Sequence, residues 1–141
     1  MTELDIKQIL TGEHSDYKIK NHKGLYVIKY NKSALNNENV TSLGLFRSVI
    51  TDGEKILSFA PPKSINYNSF IVQNNFSECN ITEFIDGTMI NVFDNEKNMN
   101  ENNEIEPKWE LATRSNIGAN CRFNLRSKKS FRDMFYEACV P

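Results

Sequence analysis

Residues 43–62 read LGLFRSVITDGEKILSFAPP, and this stretch decides the class of fold. From 43 to 51 β-branched and aromatic residues dominate, which suits a pleated, half-buried strand. Asp52-Gly53 supplies the two positive-φ positions of a tight hairpin turn, and EKILSFA over 54–60 resumes the alternation. Pro61-Pro62 then stops the strand, because neither residue can donate to a ladder. An antiparallel hairpin is therefore expected at the centre of the chain.

Working outward, LYVIKYNK at 25–32 reads as a further strand. Before it, Leu4, Ile6, Ile9 and Leu10 stand at near-helical spacing behind Thr2, a candidate N-cap. KSINYNSF at 63–70 reads as an exposed connector or a short turn of helix. A second sheet unit is expected from ITEFI at 81–85, Asp86-Gly87 and TMINVF at 88–93, with WELATR at 109–114 as partner strand. Between them DNEKNMNENNEIE at 94–106 holds five acids against one Lys and almost no apolar mass, the composition of a solvated loop. Ser130 is placed to cap a final helix, with Phe131, Met134, Phe135 and Ala138 at i, i+3, i+4 and i+7 as its apolar stripe. The expected class is α+β, an antiparallel sheet with a terminal helix, in a single domain over 1–141.

Composition narrows the function. The 141 residues carry 17 Lys+Arg against 18 Asp+Glu, a formal charge of −1 that excludes a uniformly basic nucleic-acid glove. Hydrophobic residues make up 39%, enough for a domain of this size to fill a core without metal or disulfide staples. No apolar run approaches the roughly 20 residues that cross a bilayer, and the start, MTELDIKQIL, lacks the pattern of a secretory signal. A cytoplasmic protein with no membrane partner is the expectation. Cys79, Cys121 and Cys139 match neither a zinc pair nor a secreted disulfide framework, so reduced thiols are expected. His14 and His22 have no carboxylate or Cys at metal-ligand spacing, and solvent exposure is the default for both. The charge is also segregated. Residues 108–132 hold Lys108, Arg114, Arg122, Arg126, Lys128, Lys129 and Arg132 against Glu110 alone. Such a stretch either grips a phosphate backbone or answers the acidic loop, and the charges alone leave both open. Trp109, Phe123 and Phe131 beside it are expected in the core rather than stacked on bases.

Several segments, in order, resemble the adenylation (nucleotidyltransferase) domain of phage-type ATP-dependent RNA ligases of the RNA ligase 1 kind, as found in ligase-like proteins of large DNA viruses. TEFIDGTMINVF at 82–93 is similar to the strand-borne KxDG motif, with Asp86 and Gly87 in place. Upstream, LFRSVITDGEKILSFAPPKSINYNSF at 45–70 resembles the segment that runs into that lysine, where a pattern like RGxxF is followed by KFFN. Arg47-Ser48 stands where RG would be, Lys63 falls on the lysine of KFFN, and Asn66 lies close to its Asn. Downstream, LATRSNIGANCRF at 111–123 sets Arg114 and Ser115 on the strand and loop that carry a basic residue followed by small ones. SFRDMFYEA at 130–138 looks like the next helix.

The resemblance implies a partial ligase or capping-enzyme fold, with a nucleotide or phosphate site drawn from Arg47, Lys63, Glu83, Asp86, Gly87 and Arg114. It implies ATP and Mg as ligands and RNA as partner, and Arg122, Arg126 and Lys128 are the candidate nucleic-acid surface. One departure governs the chemistry: Phe84 occupies the position of the nucleophilic lysine. A phenyl ring has no lone pair with which to form a phosphoramidate. The 141 residues also lack the family's nucleotide-stacking strand, metal-binding carboxylate strand and final KxxK. The expectation is a truncated or degenerate relative without self-adenylation, acting alone or beside a second chain or copy. The alternative is a non-enzymatic viral structural or accessory protein, in the virion or the host cytoplasm, that uses the fold for protein contacts. Outside the resemblance each residue has a plainer reading. Arg47 would be an outward-facing sheet residue, Lys63 a solvated loop lysine, Glu83 a cross-strand pair and Asp86-Gly87 a hairpin turn.

Overall fold

The computed structural model describes residues 6–12, 15–83, 85–95 and 109–140. Thr2, His14, Phe84, Lys108 and the acidic run at 96–106 lie outside the described residues. The fold is mixed α and β, with two antiparallel sheets and a C-terminal helix. The first sheet has the order β1-β2-β3-β4, from β1 (Tyr17–His22), β2 (Leu25–Tyr30), β3 (Val49–Thr51) and β4 (Ile56–Phe59). The second has the order β5-β6-β7, from β5 (Ile90–Asp94), β6 (Trp109–Thr113) and β7 (Asn116–Ile117). Three helices accompany them: α1 (Ile6–Thr11), α2 (Tyr67–Gln73) and α3 (Phe131–Cys139).

Alternation along β2 builds the core on both sides of the first sheet. Ile28 and Tyr30 join Val49, Ile6, Ile9, Leu43 and Phe46 in one cluster, beneath α1. Leu25 and Val27 point the other way and join Ile50, Phe93, Ala112 and Ile117 in a second, which cements the two sheets together. Both clusters are apolar and buried, which supplies the main drive for assembly.

The central hairpin forms between β3 and β4, but its turn differs from the expected one. Only Gly53 has a positive φ, at 95°. Asp52 instead accepts at Oδ1 from the Glu54 and Lys55 N–H groups, both at 2.9 Å. The true two-residue turn with both φ positive joins β1 to β2 at Lys23 (50°) and Gly24 (82°), where His22 pairs with Leu25. The strand expected over 43–51 is also shorter. Residues 43–45 form a turn of 3₁₀ helix, because Leu43 and Phe46, three apart, both bury in the α1 cluster, and three is a helical spacing. Arg47 thus sits in the turn leading to β3 and not inside a strand.

The expected strand at 81–85 does not form at its described residues, and Ile81 and Ile85 are exposed. β5 begins at Ile90 and pairs with β6 as foreseen. At the start of the acidic segment, Asp94 closes β5 and Asn95 is buried, so these two are not free loop. Asn66 caps α2, accepting from Ser69 N–H at 2.8 Å. Ser130 caps α3 in a full capping box with Asp133, yet no residue of α3 is buried. Of its apolar stripe Phe131 and Phe135 are half-buried and Met134 and Ala138 exposed, and none joins either core cluster.

Candidate functional site

Two of the cations singled out by sequence meet where the sheets join. Arg114 follows β6, and its Nε donates to the Arg47 carbonyl oxygen at 3.4 Å. Its guanidinium also lies 5.9 Å from the centroid of the Tyr30 ring, within cation–π range. The end of β2 is held there too, since Tyr30 N–H donates to the Phe46 carbonyl at 2.7 Å. Arg47 and Arg114 are both half-buried. The adjoining Ser48 is fully buried, and its hydroxyl has no hydrogen-bond partner.

Lys63 lies apart from this pair. Its N–H donates to the Gly44 carbonyl at 2.9 Å, and its Nζ donates to the carbonyl and hydroxyl oxygens of Ser64, both at 3.2 Å. It lines an open hollow of about 390 Å³ with Asn36, Glu38, Thr41, Asn66 and Ser69, to which neither Arg47 nor Arg114 contributes. Glu83, Asp86 and Gly87 are exposed, in the irregular segment before β5. Glu83 is therefore not a cross-strand partner, and Asp86-Gly87 does not close a hairpin.

The sequence reading missed a second group of cations beside Arg114. Lys29 Nζ donates to Ser115 Oγ at 2.6 Å, tying β2 to the turn between β6 and β7. Burial pulls its pKa below the ordinary lysine value, and the charges of Arg114, Lys20, Lys18 and Lys32 pull it down further. The signal was available: residues 17–32 contain five Lys and no Asp or Glu. The near-neutral total charge of the chain hides it.

The basic stretch after β6 is partly neutralised within the fold. Arg132 Nη1 meets Glu110 Oε1 at 2.7 Å, and Lys129 Nζ meets Glu137 Oε1 at 2.7 Å. The hydrogen bond and charge of Glu110 raise the Arg132 pKa against the opposing effect of burial. Arg122, Arg126 and Lys128 are exposed. The aromatics correct the expectation of core placement, for Trp109 is 64% and Phe123 is 74% exposed, with Phe131 half-buried. His22 is exposed, as expected.

Among the described residues no three His, Cys, Asp or Glu side chains gather where they could hold a metal ion, so no step is assigned to Mg. The contact joins the Arg114 side chain to the Arg47 backbone, and a guanidinium fork is a donor set that suits a phosphate. No described helix is long and apolar enough to cross a membrane. Comparison with protein-family models, curated proteins and solved structures finds no match to this chain.

Proposed function

We propose that this chain is a degenerate relative of ATP-dependent RNA ligases that keeps a phosphate-facing surface and has lost self-adenylation. The observation that carries the reading is the Arg114 contact with the Arg47 carbonyl. Positions 47 and 114 lie on separate ligase-like motifs and beside strands of separate sheets, and a shared phosphate site is a physical reason for them to adjoin. Arg47 and Arg114 supply the charge-assisted donors for a nucleotide phosphate or an RNA end. Lys63, in its own hollow, is a separate contact. With Phe84 in place of the amine, no phosphoramidate forms at that position.

Incubation with α-labelled ATP and Mg tests the catalytic half. No covalent label is expected on the intact protein, and a stable AMP adduct overturns the loss of self-adenylation. Retention of the site is tested by nucleotide binding, which should weaken at least fivefold in Arg47→Gln and Arg114→Gln. ATP affinity unchanged in both variants overturns the phosphate-facing reading.

One observation favours a second reading, that of a non-enzymatic viral or accessory protein using its surface for protein contacts. The partly exposed stripe of α3, with Trp109, Phe123 and Leu125 exposed elsewhere, is apolar surface of the kind that partners cover. Salt-insensitive association with a protein, together with no nucleotide affinity, supports that alternative.

A further inference from the structure

We propose that Lys18, Lys20 and Lys29, with Arg114, form a binding face for the phosphate backbone of a single-stranded polynucleotide. The face is centred where Lys29 meets Ser115. This goes beyond the ligase-like reading and shares only Arg114 with it, since none of the three lysines falls on a ligase motif.

The geometry begins with the register of the first hairpin. Lys18 stands directly opposite Lys29, and Lys20 directly opposite Val27. Cross-strand partners share a face, so Lys18, Lys20 and Lys29 project from the same side of the β1–β2 ribbon. That is the side on which Val27 packs against the second sheet. β1 runs past this packing, and from Lys18 to His22 it is exposed. Among the described residues no carboxylate forms an ion pair with any of these four cations. The fold pairs cations elsewhere, at Arg132 with Glu110 and at Lys129 with Glu137. Like charges directly opposite one another destabilise a ladder. A chain of near-neutral total charge that concentrates five Lys and no acid in 16 residues therefore maintains a repulsion that an anion would relieve.

Two members are also held in position before any ligand arrives. Lys29 is fixed by Ser115, and Arg114 by the Arg47 carbonyl and the Tyr30 ring. Burial first, and then the charges of its neighbours, lower the Lys29 pKa. Along β1 the two exposed lysines stand two residues apart, roughly 6.6 Å at a rise of about 3.3 Å per residue. Closely spaced point charges on an open ribbon suit a ligand with one full charge on every unit, as a polynucleotide backbone has.

The test uses the full chain and a labelled 20-nucleotide oligouridylate, with affinity measured by anisotropy between 50 and 300 mM salt. Four phosphate contacts give a slope of log affinity against log salt of about −2.8, at roughly −0.7 per contact for single strands. The double variant Lys18→Gln/Lys20→Gln should flatten the slope by about 1.4, two contacts' worth, with its thermal midpoint unchanged or raised. Arg122→Gln/Arg126→Gln serves as comparator. If the comparator flattens the slope and the β1 variant does not, the face proposed here is wrong, while the ligase-like reading stands. If polyglutamate competes as well as unlabelled oligouridylate, the ligand class is wrong. No measurable affinity at 50 mM salt also overturns it.

Discussion

Lys18 and Lys29 face each other directly across the β1–β2 ladder, two ammonium groups where a sheet ordinarily sets a charge against its opposite. Replacing Lys18 with Glu turns that repulsion into attraction. The expected result is a gain of about 0.2–1 kcal/mol in stability, read as a higher urea midpoint at unchanged slope. The same variant should bind oligouridylate more weakly. A protein that loses stability in Lys18→Glu has no standing repulsion at this pair.

The lysine at 29 should also leave a mark on the pH dependence of folding. Its pKa is lowered in the fold, first by burial and then by Arg114 and the neighbouring lysines. Between the folded value and the ordinary 10.5, the unfolded chain therefore binds more protons than the native one. Stability contributed by this group is complete above that ordinary value and is lost as pH falls through the folded one. Tyr17, whose pKa burial and Asp16 raise, acts in the opposite sense as pH climbs past 10. Subtracting the profile of Lys29→Met from that of the parent isolates the lysine. The difference should rise with pH below 10.5, and a flat difference would contradict the lowered pKa.

Ser48 offers a substitution that should improve the protein. Its hydroxyl is fully buried without a hydrogen-bond partner, an arrangement that ordinarily costs 1–3 kcal/mol. Ser48→Ala is expected to stabilise by about 1 kcal/mol in thermal or urea unfolding. A loss of that size would mean that the hydroxyl is engaged in solution.

At the far end of the chain, the capping box carries α3. Ser130 Oγ accepts from Asp133 N–H at 3.1 Å, and Asp133 Oδ2 accepts from Ser130 N–H at 2.8 Å. With no buried face to hold the helix, Ser130→Ala should cost about 1 kcal/mol and reduce helical circular dichroism. The Ser130 hydrogen bonds hold the Asp133 carboxyl below its ordinary 3.8. Its contribution is thus present above that value and is lost as pH falls through the lower folded one. Ser130→Ala should remove this increment of acid sensitivity, and an unaltered acid limb would show that the bonds do not form.

Two ion pairs near that helix should differ in weight. The Arg132–Glu110 pair is mostly sheltered, with side-chain exposures of 31% and 16%, whereas Lys129 and Glu137 are 56% and 62% exposed. Arg132→Gln should cost about 1–2 kcal/mol and Lys129→Gln under about 0.5 kcal/mol in matched urea titrations. Equal effects would mean that burial does not separate them.

The parts of the fold that local chemistry determines were legible in the sequence. Pro61-Pro62 ended β4, Ser130 announced α3, and the apolar runs at 88–93 and 109–114 found each other as β5 and β6. What tertiary context decides was not legible. Residues 43–46 carry strand-like side chains, yet the cluster beneath α1 needs both Leu43 and Phe46, and only a helical turn delivers them together. β1 escaped notice because YKIKNH is an exposed edge strand with little apolar alternation. At the site, the meeting of Arg47 with Arg114 depends on how two sheets pack, which no spacing along the chain encodes. The cationic hairpin was readable from composition alone, from the absence of acids over 17–32.

The register shift between Ile50 and Thr51 has a consequence for behaviour at high concentration. β4 is an outer strand of its sheet and leaves Ile56 and Phe59 exposed, the makings of a template for fibrous self-association. The bulge adds twist to this margin, and the two prolines that follow remove the amide donors an incoming strand would need next. Shelf life in concentrated solution thus depends on a local irregularity, and a variant that straightened it would be the first to gel.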